Sequence, residues 1–341
     1  MKIWVDILTP KQLVFFEPLI KKLNKKHRIL CTSRNYSQVT NLAKLRKLKI
    51  LVVGKHGGIK KDDKLFANLA RMNLLFPIIQ KFNPELTISF CSPDASRISF
   101  GLGIHHVGFS DSPHATAVMK LSIPLIQKLF IPWIIPKKEF VKYGIDKKNI
   151  IPYKAIDAAI TIGRKSKNQK FSFKKNNKKN ILIRMEESEA SYYSKSNQSL
   201  LVIRKITEQF KEENIIILGR YSEQIKELKK LFGNKAQILD MSCDGKHLLE
   251  NSDIFIGSGG TMTAESALLG IPTISLNSSP NLIENYLVKT KIITRESDPN
   301  KIVKIIKKLF DKPNYQSKKK AEKLLHSMEN PHQKLIRIFN L

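Results

Sequence analysis

The chain has 341 residues, of which 42% are hydrophobic, so it is too long for one ordinary core and too apolar to be largely disordered. The formal net charge is +31, but the lysines are spread along the whole chain without interleaved aromatic residues, which argues against a nucleic-acid-binding protein. The charge fits either a Lys-rich composition throughout the chain or attraction to an anionic ligand or membrane surface.

The sequence holds no apolar run of the ~20 residues that cross a bilayer. The longest apolar stretch, 121–136, contains Gln127, Lys128 and three prolines, which predicts a segment buried inside a domain. Charged residues within the first six positions indicate a first strand and not a signal peptide, so we expect a cytoplasmic protein. Three cysteines without metal-ligand spacing suit a reducing compartment as small core residues: Cys31, Cys91 and Cys243.

Short β-branched runs alternate with longer amphipathic runs along the first half, which indicates βαβ units and a parallel sheet. The predicted strands are 3–8, 29–33, 50–53, 86–90, 106–109 and 130–135. The predicted helices are 12–25, 37–48, 63–82 and 95–101. In the first helix, the spacing of Leu13, Phe16, Ile20 and Leu23 places these side chains on one buried face.

A stretch rich in Lys, Asn and Ser, 163–180, interrupts the alternation and predicts a solvated linker. The alternation then resumes with predicted strands at 181–184, 215–218, 236–239, 254–256, 273–276 and 291–294. The predicted helices are 199–211, 222–232, 261–269 and 300–310, followed by a Lys-rich terminal helix at about 316–339. The pattern predicts an α/β protein with a first domain (1–160), a linker (161–180), a second domain (181–315) and a terminal segment (316–341).

One motif carries more chemical information than the rest of the chain. After the apolar strand come Gly257, Ser258, Gly259, Gly260 and Thr261. Glycines let the backbone approach an anion closely, and the N–H groups at a helix N-terminus favour phosphate. Thr261 or Thr263 could cap the helix, and Glu265, one turn into it, could accept from paired ribose hydroxyls. A tight strand–helix turn without a ligand is the alternative.

The string Gly-Gly-Thr-Met-Thr-Ala-Glu-x-Ala-x-x-Gly-x-Pro, at 259–272, resembles the donor-site motif of glycosyltransferase-B (GT-B) enzymes. These include the non-hydrolysing UDP-N-acetylglucosamine (UDP-GlcNAc) 2-epimerases and the peptidoglycan N-acetylglucosaminyltransferase. Over most of its length the chain resembles domain-of-unknown-function family 354, which is largely archaeal. The segments that carry this resemblance are 4–12, 54–58, 92–94, 111–115, Arg184, 190–193 and 257–265.

The resemblance implies two Rossmann-like parallel-sheet domains that face each other across a cleft, with the terminal helix packing back towards the first domain. It implies that the first domain serves the acceptor and the chemistry, and that the second binds a nucleotide sugar. Gly259, Gly260 and Thr261 would hold the diphosphate, and Glu265 the ribose. Uracil would lie against the backbone near 240–242 and Gly219. Arg184 would pair with a phosphate, unless it is a surface residue at a strand end.

Titratable residues follow three predicted strands of the first domain: His56, Asp94, Asp111 and His114. His56 could be a base near neutral pH, or an exposed residue on a Gly-rich turn. Asp94 could serve the chemistry or cap the next helix. Asp111 could orient His114 as a base, or cap a helix beside a solvated histidine.

Asp94 and Asp111 also occupy positions similar to two acidic residues of the 2-epimerases. The third acidic residue of those enzymes, in a Pro-Glu-Glu stretch, has no clear counterpart, and their His-Arg-Arg-Glu-Asn element is missing. The epimerase hypothesis therefore lacks part of its machinery.

Three functions fit these patterns. The first is metal-independent transfer of a sugar from a UDP-sugar to an unidentified acceptor, which needs one base (Asp111, His114 or His56), no cofactor and no Asp-x-Asp metal motif. The second is a UDP-sugar 2-epimerase that uses Asp94 and Asp111. The third is a non-catalytic protein that binds nucleotide sugar or nucleic acid. A basic surface suits an anionic, lipid-linked acceptor and peripheral contact with a membrane, and no feature specifies an oligomeric state.

Overall fold

The computed structural model describes residues 1–58, 60–166, 173, 177–185, 198–219, 221–239, 244–276, 281–311 and 315–341, without the side chains of 315 and 316. The chain divides into two compact units, Met1–Arg164 with Glu329–Leu341, and Lys165–Met328. A seven-stranded sheet lies in the first unit and a six-stranded sheet in the second, and all strand pairs are parallel. The predicted fold class of two Rossmann-like parallel-sheet domains is confirmed.

The first unit is a doubly wound sheet with strand order β3-β2-β1-β4-β5-β6-β7. Its strands are β1 (Lys2–Asp6), β2 (Arg28–Asn35), β3 (Leu51–Lys55), β4 (Leu86–Ser89), β5 (His105–Phe109), β6 (Lys128–Pro132) and β7 (Ile150–Tyr153). Its helices are α1 (Pro10–Leu23), α2 (Ser37–Leu45), α3 (Lys61–Phe82), α4 (Pro93–Gly101), α5 (Thr116–Ser122), α6 (Lys138–Val141) and α7 (Asp157–Ile162). Central strands read as continuous apolar runs because helices cover both faces of a parallel sheet.

The second unit is also doubly wound, with strand order β10-β9-β8-β11-β12-β13. Its strands are β8 (Asn180–Arg184), β9 (Asn214–Leu218), β10 (Gln237–Leu239), β11 (Ile254–Gly257), β12 (Thr273–Ser275) and β13 (Thr294–Arg295). Its helices are α8 (Gln198–Gln209), α9 (Ser222–Phe232), α10 (Gly245–Glu250), α11 (Thr261–Leu268), α12 (Leu282–Lys289), α13 (Pro299–Asp311) and α14 (Tyr315–His326).

The C-terminal segment, 316–341, differs from the single helix predicted at about 316–339. It forms α14 and a separate helix α15 (Pro331–Phe339), and α15 belongs to the first unit. Asn330 caps α15 by accepting from the N–H of His332 at 2.9 Å, and the ring of Pro331 cannot continue a preceding helix. The His332 ring packs edge-on against Phe15, with 4.7 Å between ring centroids.

Several elements carried no clear sequence signal. Strand β7 and helices α5, α6, α7, α10 and α12 were not predicted, because they have eight residues or fewer and little periodicity. No helix among the described residues is long and apolar enough to cross a bilayer. Cys31 and Cys91 are buried and free, as expected for core thiols, whereas Cys243 lies outside the described residues.

The segment predicted as a solvated linker contains one residue of the second core. Phe173 is 5% exposed and packs in a cluster of buried residues that also contains Leu182, Leu218, Leu249 and Phe255. Burial of a phenyl ring is favourable whatever the charge of its neighbours in the sequence, so Phe173 is a core residue and not part of a solvated linker.

We expect Phe173→Ala to lower the free energy of unfolding of the second unit by about 3 kcal/mol, because the substitution leaves a cavity in that core. Urea denaturation followed by circular dichroism measures the change. Lys165→Ala, at an exposed position of the same segment, is the matched control and should leave the transition in place. An unchanged midpoint for Phe173→Ala would mean that this ring is not part of the core.

Candidate nucleotide-binding and catalytic sites

The glycine-rich turn joins the carboxyl end of β11 to the first residue of α11. Gly259 has φ of 94°, in the left-handed region that favours glycine, and its N–H donates to Thr263 Oγ1 at 3.3 Å. Gly260 is the N-cap of α11. Neither threonine is therefore the N-cap residue that was predicted. Thr263 instead accepts the hydrogen bond from the N–H of Gly259 within the turn.

The turn is only partly accessible. Gly257, Ser258 and Gly259 are buried, whereas Gly260 is exposed and Thr261 is half-buried. The first N–H groups of a helix have no intrahelical acceptor, and those of Gly260 and Thr261 donate to no acceptor within the described ranges. An anion that approached at Gly260 would meet these N–H groups and the positive end of the helix dipole.

Strand order places a second predicted residue beside this turn. The sheet reverses direction between β8 and β11, and ligands of open α/β sheets bind at such a reversal, beyond the carboxyl ends of the strands. Ile183 pairs with Ile256, so Arg184 and Gly257 are the next residues along the two neighbouring strands. Arg184 is buried, and its Nη1 donates to the carbonyl oxygen of Gly219 at 2.8 Å. The alternative of a surface arginine is therefore wrong.

Helix α11 also carries Glu265, which is 6% exposed. Its ribose-binding role remains a prediction. The backbone at 240–242, predicted to contact uracil, lies outside the described residues, as do 190–193 of the family-like segments.

Asn281 supports the turn from outside the motif and was not predicted. Its Nδ2 donates to the carbonyl oxygen of Gly259 at 2.8 Å, and its Oδ1 accepts from the N–H of Glu284 at 2.9 Å. Asn281 thus caps α12 and also fixes the backbone of the glycine-rich turn at Gly259. The spacing of Asn281 and Glu284 matches a capping pattern, which is the signal that could have located α12.

In the first unit, Asp94 lies in a buried charge network. The Arg71 guanidinium forms ion pairs with Asp94 and, at 2.6 Å, with Asp6 at the end of β1. Asn68 also donates to Asp94, and Ser92 Oγ donates to Asp6 at 2.7 Å. All these residues except Asn68 are buried. The N-cap of α4 is Ser92, so the alternative of Asp94 as a cap is wrong.

The two carboxyls of this network differ in their pKa. Burial opposes ionisation of Asp6, but the Arg71 charge and the hydrogen bonds to it outweigh burial and lower its pKa. For Asp94, burial and the nearby Asp6 charge raise the pKa despite Arg71. Because both oxygens of Asp94 have protein partners, this network favours a structural role for it.

Asp111 lies in a second charge cluster, at the carboxyl end of β5. Lys11, the second residue of α1, forms ion pairs with Asp111 and, at 2.7 Å, with Asp157. The Lys11 Nζ also lies 5.0 Å from the ring centroid of Phe90. The Tyr153 hydroxyl donates to Asp157. The Asp111 side chain is 20% exposed and that of Asp157 2%, so Asp111 is the carboxylate within reach of a substrate.

Asp111 and Asp157, which share Lys11, have pKa values shifted in opposite directions. Burial opposes ionisation of Asp111, but the Lys11 charge and its hydrogen bond lower the pKa of Asp111 below the ordinary value. Burial raises the pKa of Asp157 to about 6; Lys11 opposes this shift and the Asp111 charge adds to it. Asp111 is thus ionised at neutral pH, while Asp157 takes up a proton in mildly acidic solution.

Lys11 and Asp157 were not among the predicted catalytic residues. Asp157 is the first residue of α7 and follows β7, and neither element was predicted. An acidic residue in the first turn of a helix after an apolar strand is the signal that could have located it.

The two predicted histidines have different surroundings. The His56 ring stacks on Tyr36 at 5.0 Å between centroids, and its Nδ1 accepts from the N–H of Gly58 at 3.1 Å. Burial, followed by the Arg34 and Lys64 charges, lowers the pKa of His56 to about 4. In a neutral ring whose Nδ1 accepts a hydrogen bond, the proton is on Nε2. Nε2–H can donate a hydrogen bond to a ligand, but it cannot take up a proton as a base would. His114 is exposed, and partial burial of its ring lowers its pKa.

Comparisons with known proteins agree with this architecture. The family model described as "Protein of unknown function (DUF354)" matches residues 1–336. An uncharacterized protein of Methanocaldococcus jannaschii is 27% identical over 316 residues, which cover 90% of this chain and 91% of that protein.

Solved structures share the fold at low sequence identity. UDP-GlcNAc 2-epimerase from Neisseria meningitidis bound to UDP-GlcNAc has a TM-score of 0.75 and 16% identity, covering 99% of each chain. The M. jannaschii UDP-GlcNAc 2-epimerase has a TM-score of 0.67 and 14% identity, covering 100% of this chain and 99% of that one. The spinosyn rhamnosyltransferase SpnG has a TM-score of 0.63 and 13% identity, covering 100% of both. Likeness at this level shows the GT-B fold.

The raised pKa of Asp157 generates a pH-dependent prediction. Its folded pKa lies above the unfolded value, so its favourable contribution to stability is complete below about pH 4 and is lost as the pH rises through about 6. We therefore expect Asp157→Asn to gain stability relative to the unsubstituted chain between pH 4 and pH 7, by on the order of 2–3 kcal/mol. Urea denaturation of both proteins across this range measures the difference. A pH-independent difference would contradict the assigned environment.

Proposed function

The chain belongs to the DUF354 family, and we propose that it is a metal-independent glycosyltransferase that takes its sugar from a UDP-sugar. The observation that carries the proposal is the turn at the start of α11, whose first N–H groups have no acceptor in the described part of the chain and lie at the reversal point of the second sheet, beside Arg184. This combination of a glycine turn, a helix N-terminus and a sheet reversal is the arrangement that binds phosphate groups in α/β proteins.

The donor would bind through its diphosphate and ribose. We assign the diphosphate to the N–H groups of Gly260 and Thr261, which the exposed Gly260 makes accessible. Glu265 would accept hydrogen bonds from the ribose hydroxyls. Arg184 donates to the carbonyl oxygen of Gly219 and would place a positive charge near the phosphates.

Transfer needs a base for the acceptor and a site for the leaving group. Asp111 is the base we assign, because it is ionised and partly exposed, whereas Asp94 is buried between Arg71 and Asn68. As the acceptor oxygen bonds to sugar C1, its proton passes to Asp111, and the bond from C1 to the UDP oxygen breaks. UDP leaves with the electron pair, and the helix N–H groups stabilise its charge.

The acceptor is proposed to be anionic. The formal net charge of +31 raises the local concentration of anionic molecules and speeds their encounter with the protein. An anionic lipid-linked acceptor at the cytoplasmic face of a membrane would attract this positive charge. It would also lie in the compartment in which we expect the UDP-sugar donor.

A second candidate function is UDP-sugar 2-epimerisation. It is favoured by the Asp111–Asp157 pair, in which one carboxyl is ionised and the other has a pKa of about 6. Two carboxyls held at different pKa values can divide the roles of base and acid. It is disfavoured by the burial of Asp94, the other acidic residue that the epimerase resemblance calls on.

The diphosphate assignment is tested at Gly260. Its φ is negative and a Cβ built on it meets no atom within 4 Å, so Gly260→Ala should fold normally. The added methyl group would occupy the space that the diphosphate needs. We expect UDP binding, measured by isothermal titration calorimetry, to weaken by at least about tenfold. Gly101→Ala, on α4 of the first unit, is the matched control. Normal UDP affinity in Gly260→Ala would show that the diphosphate does not bind at this turn.

The two candidate reactions are separated by isotope incorporation. In deuterated water, epimerisation through loss of the C2 proton places deuterium at C2 of UDP-GlcNAc, whereas transfer leaves C2 unlabelled. We expect no deuterium at C2 and release of UDP when an acceptor mixture is added, with release lost in Asp111→Asn. Deuterium at C2 would replace the transferase proposal with the epimerase.

A further inference from the structure

Helix α3 exposes an apolar face that no described residue covers. Phe66 is 75% exposed and Leu65 61%, the highest values among the large apolar side chains of the described residues. Leu69, Leu74 and Phe76 continue the same outward side, and Arg71, Leu75 and Ile79 form the opposite, buried side. Contiguous exposed apolar patches of this kind mark interaction sites.

Strand β3 extends this apolar surface at the edge of the sheet. Leu51 and Val52 are both exposed, and among the described strands β3 has a partner on one side only. Helix α3 packs next to this strand, where Arg71 Nε donates to the carbonyl oxygen of Val53 at 3.0 Å. The patch therefore combines a helix of 22 residues, about 33 Å long, with an open sheet edge.

The charges on this face are arranged by sign along the helix. Asp62 and Asp63 occupy the first turn and Lys81 the last, and all three are exposed. Neither Asp62 nor Lys81 forms an ion pair with any residue in the described part of the chain. Lys61 and Lys64 of the first turn fall at the helical positions of the buried side, in line with Ile79 and Arg71. The outward side therefore has one sign at each end, and it is complementary to itself when a second copy runs antiparallel.

We propose that the exposed face of α3 binds the same face of a second copy of this chain, with the two helices antiparallel about a two-fold axis. Alignment of Asp62 with Lys81 of the second copy also places Phe66 opposite Pro77 and Leu69 opposite Leu74. Each contact occurs twice in such a self-complementary interface. Both copies of the apolar face, with the adjoining β3 edges, would then leave water together.

An anionic membrane fits this face less well than a second copy does. Lys60, Lys61 and Lys64 at the start of α3 would favour lipid headgroups. However, Asp62 and Asp63 lie in the same turn and would be repelled by them. Asn73 lies on the outward side, between Leu69 and Leu74, where it would enter the hydrocarbon boundary of a membrane but could pair across a two-fold axis.

The oligomeric state of the full chain tests the proposal. Sedimentation equilibrium should show a dimer, and Phe66→Ser should raise the dissociation constant by at least ~100-fold, because two phenyl rings return to water. Phe100→Ser, at a 55% exposed phenylalanine on α4, is the matched control and should leave the dimer intact. A monomer at all concentrations, or a dimer insensitive to Phe66→Ser, overturns the proposal.

A charge exchange tests the antiparallel alignment. Lys81→Glu should weaken the dimer about tenfold, because two like-charge contacts replace two attractive ones. Adding Asp62→Lys to Lys81→Glu should restore most of the lost affinity. Failure of the double variant to recover affinity overturns the antiparallel pairing. The same proteins are mixed with vesicles of phosphatidylcholine and phosphatidylglycerol, and Phe66-dependent binding of a monomer to them would replace the dimer by a membrane surface.

Discussion

The position of the candidate diphosphate site depends on where the strand order of the second parallel sheet reverses. At that point the loops after two neighbouring strands turn to opposite faces of the sheet, and a crevice opens beyond the strand ends. In the second unit the reversal between β8 and β11 brings Arg184 and the Gly257 turn side by side, although they are 73 positions apart in the sequence. In the first unit the reversal between β1 and β4 does the same for Asp6 and Ser92, whereas Asp111 follows β5, one strand beyond the reversal.

The two units have different charged or polar groups at the carboxyl ends of their strands. The first unit buries Asp6, Arg71 and Asp94, and removal of one partner from such a network leaves an uncompensated buried charge that costs several kcal/mol. Such a network holds side chains in place more readily than it reacts. The Lys11 cluster is more open, because Asp111 keeps a fifth of its side chain exposed. The second unit offers backbone N–H groups at the turn, which need no counter-ion and can receive an anion.

Apolar periodicity was sufficient to predict an α/β protein of two domains, the resemblance to GT-B enzymes supplied the fold, and motif chemistry predicted the turn at Gly257 to Thr261. Periodicity did not reveal β7 and α7, so the pairing of Asp157 with Lys11 could not be anticipated, since residues 146 positions apart meet only in the folded sheet. For the same reason Asp94 looked available in sequence, while the structure places Arg71 and Asn68 on its two oxygens. Ion pairs between residues distant in the sequence determine which carboxylates remain accessible to a substrate. Local sequence patterns do not reveal these pairs.

Binding of a diphosphate at the start of α11 is tested most directly by ligand-dependent stabilisation of the fold. A ligand that binds only the folded state raises the melting temperature by mass action. Thermal unfolding of the intact chain with saturating UDP, UMP or uridine should show the largest rise with UDP, a smaller one with UMP and the smallest with uridine. No rise with UDP, or equal rises with UDP and uridine, would contradict a diphosphate site at this turn.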